Sequence, residues 1–69
     1  MFNPEELYRV LKEHRMSVPD LAKYLGINKT TLYRKIDRES DFVLGEIQKC
    51  RELFGSEAAT MIFFADEVA

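Results

Sequence analysis

The feature that most constrains this chain is one glycine, Gly26, set between two short segments whose apolar residues recur at helical spacing. Upstream, Ser17 is a good N-cap. Asp20, three residues on, can accept a hydrogen bond from the Ser17 N–H, an acidic form of the capping box. Leu21, Ala22 and Leu25 then follow at helical intervals. Gly26 stops that helix, because the C′ position calls for a residue that takes positive φ with little strain. Asn28 caps a second helix in which Leu32 and Ile36 lie one turn apart on a single face. Lys29, Thr30, Tyr33 and Arg34 are left on other faces, several of them free to project outward. The pattern predicts helices over 18–25 and 29–37 joined by a tight turn.

Three further helices are predicted, and no strand. Asn3 as N-cap, Pro4 at the first helical position and Glu6 in the first turn form a complete start signal. Leu7, Val10, Leu11 and His14 then give the i, i+3, i+4, i+7 stripe of a core-facing helix, predicted over 4–15. Residues 37–41 are polar and turn-like. A fourth helix is predicted over 44–54, with Val43, Ile47, Cys50 and Phe54 along one side and Gly55 at its end. Ser56 is expected to cap a fifth, over 57–65, through Ala58, Met61, Ile62 and Ala65, followed by a frayed tail at 66–69. Each of the first three caps is flanked by a hydrophobic staple: Phe2 with Leu7, Met16 with Leu21, and Ile27 with Leu32. The expected fold is all-α, one five-helix domain over residues 1–69.

Size and residue usage exclude several classes. A chain of 69 residues buries only about 60% of the surface its unfolded form exposes, so the core is small. No apolar run approaches the roughly 20 residues needed to span a bilayer, and no basic-then-apolar leader opens the chain. A lone cysteine has no internal disulfide partner, so a reducing, cytoplasmic setting is expected. Cys50 shares the Ile47/Phe54 stripe and reads as a small core hydrophobe. His14 is the one histidine, and a zinc site needs about four ligands, so no metal or other cofactor is expected. There is no nucleophile–base motif and no phosphate-cradling glycine loop, so the chain does not read as an enzyme or as a small-molecule binder.

Charge is distributed unevenly. Residues 1–38 carry eight Lys/Arg against five Asp/Glu, net +3, whereas residues 39–69 carry two against seven, net −5. The overall balance of −2 therefore hides a basic half that contains the helix–glycine–helix unit, and phosphate attraction follows the local field. Two short helices about a tight turn, the second with a polar and basic outer face, constitute a device for entering the major groove of DNA.

The chain resembles the lambda-repressor-like helix-turn-helix family of phage repressors, Cro proteins and related bacterial regulators (the XRE type). Leu21-Ala22, Gly26-Ile27, the polar run Asn28-Lys29-Thr30-Thr31 and Leu32 carry the resemblance. Glu46-Ile47, Leu53-Phe54-Gly55 and Ile62-Phe63-Phe64 are similar to small phage-encoded members. There are three departures. Val18 stands where many relatives have a phosphate-bracing Gln. Lys35 stands where an apolar residue is common, with Ile36 expected to supply the buried contact. Arg38-Glu39 replaces the usual Asn-Gly after the third helix.

The resemblance implies a regulator that binds double-stranded DNA, a Cro-like repressor at an operator near the bacterial nucleoid. It nominates Lys29, Thr30, Thr31 and Arg34 for base contact, and Ser17, Lys23, Tyr33, Lys35 and Arg38 for the DNA backbone. Tyr8 and Tyr24 are expected as half-buried framework. The run Met61–Phe64 cannot all face inward from one helix, so Met61, Phe63 and Phe64 are candidates for contact with a second copy in a weak homodimer completed on DNA. Two rival uses are an antirepressor that binds a partner repressor and a helix-turn-helix antitoxin.

Overall fold

The computed structural model describes residues 1–65; the tail expected over 66–69 lies outside them. Five helices succeed one another: α1 (Pro4–Glu13), α2 (Val18–Leu25), α3 (Lys29–Ile36), α4 (Leu44–Phe54) and α5 (Ser56–Phe63). There is no strand among the described residues, and the fold is all-α. None of these helices is long and apolar enough to cross a membrane. α2 packs on α3 and on α4, while α5 packs on α4 and α1.

The caps form as their residue types dictate. Asn3 Oδ1 accepts from the Glu6 N–H at 3.2 Å, and Asn28 Oδ1 accepts from the Thr30 N–H at 2.8 Å. The Ser17 capping box is complete: Oγ accepts from the Asp20 N–H at 3.2 Å, and Asp20 Oδ2 accepts from the Ser17 N–H at 2.9 Å. The Ser17 N–H and then its hydroxyl hold the Asp20 carboxyl below its ordinary pKa. Its contribution to stability is thus complete at neutral pH and is lost as pH falls through that lowered value.

Helix ends differ from expectation in an instructive way. α1 stops at Glu13, not 15, because Arg15 takes φ 56° and the Met16 N–H closes back on the Leu11 carbonyl at 2.9 Å. α2 ends through Gly26 at φ 74°, with the Ile27 N–H on the Ala22 carbonyl at 3.0 Å. α3 stops at Ile36, with Arg38 at φ 66° and the Glu39 N–H on the Arg34 carbonyl at 2.8 Å. All three are the same six-to-one closure, and in two of them arginine holds the left-handed position. α5 begins at Ser56 with Gly55 as its N-cap, and no side chain caps it. The extended, positive-φ turn at Gly55 (φ 97°, ψ 159°) lets the helix restart at once, so Ser56 lies inside it.

A Cβ built on Gly26 meets nothing within 4 Å, which isolates the backbone contribution at the central turn. Gly26→Ala is therefore expected to cost about 1–2 kcal/mol from left-handed strain alone. Urea unfolding should show the loss in midpoint with an unchanged slope.

The core joins Leu7, Val10 and Leu11 of α1, Leu21, Ala22 and Leu25 of α2, Leu32 and Ile36 of α3, Cys50 of α4, and Ala59, Ile62 and Phe63 of α5. Phe2 closes one end against Phe42 and Phe63, with ring centroids 4.8 and 5.8 Å away. The Asn3 N–H donates to the Ile62 carbonyl at 2.6 Å, fastening the N-terminal segment to α5. Burial, reinforced by the Glu46 carboxylate, pushes the Cys50 thiol up to about 12. Cys50 should therefore resist a disulfide reagent at about pH 8 until the chain unfolds.

Candidate nucleic-acid interface

The position of α3 follows from its own residues. Leu32 and Ile36 are buried against the core and turn the opposite face outward. Thr30, Thr31, Tyr33 and Arg34 are exposed around that side, and Lys29, one turn before Leu32 at the very start of the helix, is exposed as well. Among the described residues, the side chains of Lys29, Thr30, Thr31 and Arg34 form no internal hydrogen bond or ion pair. On α1, by comparison, Arg9 bridges Glu6 and Glu13 at the surface. The first turn of α3 contains no acidic residue. Lys29, at the first helical position, faces the positive end of the helix dipole, an arrangement that is locally unfavourable. An external anion would reverse that penalty.

The flanking candidates divide. Lys23 is exposed on α2 and Tyr33 is 42% exposed with no ring stacked on it among the described residues. Arg38 is exposed, and its Nη2 donates to the Phe2 carbonyl at 3.4 Å. Ser17 is exposed, but its oxygen serves the capping box beside the Asp20 carboxylate. Val18 is buried and packs into the core, so it takes no part at the surface. Tyr8 and Tyr24 are 47% and 43% exposed.

Two expected assignments are corrected. Lys35 is only 9% exposed, and its Nζ lies 2.9 Å from Glu46 Oε1 and 2.9 Å from the Asp41 carbonyl. Its charge is spent inside the protein, and it does not face a phosphate. It is buried together with Ile36, not replaced by it, because both fall within one turn of Leu32 on the inner face. Phe63 is 5% exposed and packs on Phe2 and Phe42, so it belongs to the core. Of the Met61–Phe64 run, Ile62 and Phe63 face inward while Met61 and Phe64 stay exposed. Phe64 borders a groove between α4 and α5 that includes Leu44 and Ile47. Leu44, 68% exposed, was not singled out by its sequence context; its one signal was a large apolar residue off the Ile47/Cys50/Phe54 stripe.

The pattern of the Cro/C1-type HTH DNA-binding domain matches residues 6–51, which run from α1 through most of α4. The chain belongs to the Cro/C1-type helix-turn-helix DNA-binding family. In helix-turn-helix domains the second helix of the motif is the one that enters the major groove. α3 holds that place in the chain, and its Lys29 and Arg34 have no ion pair among the described residues. Residues 52–69, including α5, lie beyond the matched region. No curated protein and no solved structure matches the chain.

Proposed function

We propose that this Cro/C1-type domain is a sequence-specific regulator of transcription, a Cro-like repressor of phage type that occupies an operator and excludes polymerase or a competing repressor. The observation that carries this reading is the exposed face of α3, whose cations have no internal counter-charge among the described residues. Lys29 and Arg34 suit guanine O6 and N7, and the Thr30 and Thr31 methyls suit thymine methyls. Lys23, Tyr33 and Arg38 flank them for phosphate contact, with the Ser17 hydroxyl at the edge.

Selection of bound sequences from a random duplex pool tests the reading. A consensus should emerge, and affinity for it should fall steeply with salt because phosphate neutralisation releases counterions. Failure to enrich any sequence would remove the regulator.

An eight-residue α3 touches few base pairs, so useful affinity calls for two copies on half-sites about 34 Å apart. Exposed Phe64, beside Leu44 in the α4–α5 groove, is the surface we assign to that second copy, with exposed Met61 one turn away on α5. Phe64→Glu should then lower affinity for the full selected site by about tenfold or more while leaving half-site binding unchanged. Equal losses on both sites would contradict a dimer through this face. The same groove and the acidic second half of the chain favour one rival, an antirepressor that docks on another protein. That rival predicts dispensable Lys29 and Arg34 and a flat response to salt.

A further inference from the structure

We infer that Lys35 and Glu46 are a positioning pair that fixes the angle at which α3 is presented to duplex DNA, an inference that rests on the DNA-binding reading above. α2 is the one helix against which α3 packs broadly, through an apolar seam that includes Leu32. Apolar contacts are non-directional and permit a helix to pivot along its seam. On the other side, α3 and α4 are joined by residues 37–43 and by the Lys35–Glu46 bridge.

That bridge is directional. Both side chains are about 10% exposed, with Nζ to Oε1 at 2.9 Å. The Lys35 ammonium also donates to the Asp41 carbonyl at 2.9 Å and lies 6.0 Å from the Phe42 ring centroid. Glu46 Oε1 in turn accepts from the Val43 N–H at 3.0 Å. No buried side-chain nitrogen or oxygen among the described residues lacks a partner. A largely desolvated ion pair with these directional partners favours the one arrangement of α3 on α4 that keeps them, since a slip would leave a buried charge poorly paired. Lys35 directly follows Arg34 and shares an eight-residue helix with Lys29. A hold at Lys35 is therefore a hold on both cations at the outer face. Lys35 acts on DNA through α3 and does not touch it.

The test uses the full chain carrying Lys35→Met together with Glu46→Gln. This pair of changes leaves net charge as it was, and the Gln oxygen can still accept from the Val43 N–H. Binding is read by fluorescence anisotropy on the duplex recovered from the random pool by the wild-type chain, and on an unrelated duplex, across a potassium chloride series. The double variant should lose about tenfold or more on the recovered duplex, keep its affinity for the unrelated one, and show the wild-type salt slope. A slope reduced by about 0.9, with equal losses on both duplexes, would identify Lys35 as a phosphate contact and overturn the inference. Wild-type affinity on both duplexes would overturn it equally. If the wild-type chain recovers no consensus, the DNA-binding reading fails first, and that outcome is distinct from a failing variant.

A second measurement needs no substitution. In lysine acetylation followed by mass spectrometry, Lys35 should react slowly with and without duplex, whereas Lys29 should become protected only when duplex is present. A Lys35 that reacts as fast as Lys29 in the free protein, and is shielded by DNA, contradicts the inference.

Discussion

Lys35→Ala is expected to cost about 3–5 kcal/mol of folding stability, because it leaves the Glu46 carboxylate buried without its counter-ion. Glu46→Ala should cost a similar amount, stranding the Lys35 ammonium and the Val43 N–H. For a domain of 69 residues, total stability is on the order of 3–10 kcal/mol, so either change removes a large share of it. Thermal melting followed by circular dichroism should show a midpoint lowered by about 15 °C or more. Arg9→Ala supplies the contrast. It breaks the ion pairs to Glu6 and Glu13, but these are solvent-exposed, and exposed pairs contribute little. Its midpoint should scarcely move. If Lys35→Ala melted like Arg9→Ala, the picture of a desolvated inner bridge would be wrong.

Lys29→Ala and Arg34→Ala should do the opposite: little to the fold, much to DNA. Each is expected to cost about 1–3 kcal/mol on the selected duplex and to relax the base preference at one position. Neither side chain has an internal partner among the described residues, so helicity should be retained. Lys29→Ala should leave the melting midpoint unchanged or slightly raised, since it removes a cation from a helix N-terminus where cations are unfavourable. Weakened recognition with unimpaired folding marks a residue kept for its target. Repeating the selection with each variant checks this, and an unchanged consensus would contradict the assignment of α3 as the base-reading element.

These two outcomes separate residues that were equally basic in the sequence, which shows how far the chain could be interpreted from its letters. Local signals were strong at helix starts. Asn3, Ser17 and Asn28 cap through side-chain oxygens whose reach is fixed by chemistry, so three starts could be placed to the residue. Helix ends were less legible because arginine, not glycine, carries the left-handed closure at Arg15 and Arg38, and no composition rule marks that choice. The outer face of α3 was legible since Leu32 and Ile36 fix the inner one.

Lys35 was misplaced for a specific reason. Its spacing from Leu32 points inward, whereas its charge points to solvent, and the two signals conflict within the helix. The partners that make burial tolerable, Glu46 and the Asp41 carbonyl, come from beyond the turn at residues 37–43. Such long-range pairing leaves no mark within a helical window. Phe63 erred the other way: four consecutive apolar residues could not be sorted until the Phe2 and Phe42 rings showed which of them faced inward. The family match covers residues 6–51, which include the legible caps at Ser17 and Asn28, though not Asn3, as well as the misplaced Lys35. The α4–α5 groove depends on its far end, Phe64, and needed coordinates.

The central claim is that the cationic outer face of α3 is the surface that meets duplex DNA. Amide and side-chain NMR shifts recorded while the selected duplex is titrated into the full chain test it most directly. The account predicts that the largest changes fall on Lys29, Thr30, Thr31 and Arg34, with smaller ones at Lys23 and Arg38, while the Lys35 ammonium keeps its environment. Changes concentrated on Leu44, Arg51 and Phe64, with the α3 signals undisturbed, would contradict it.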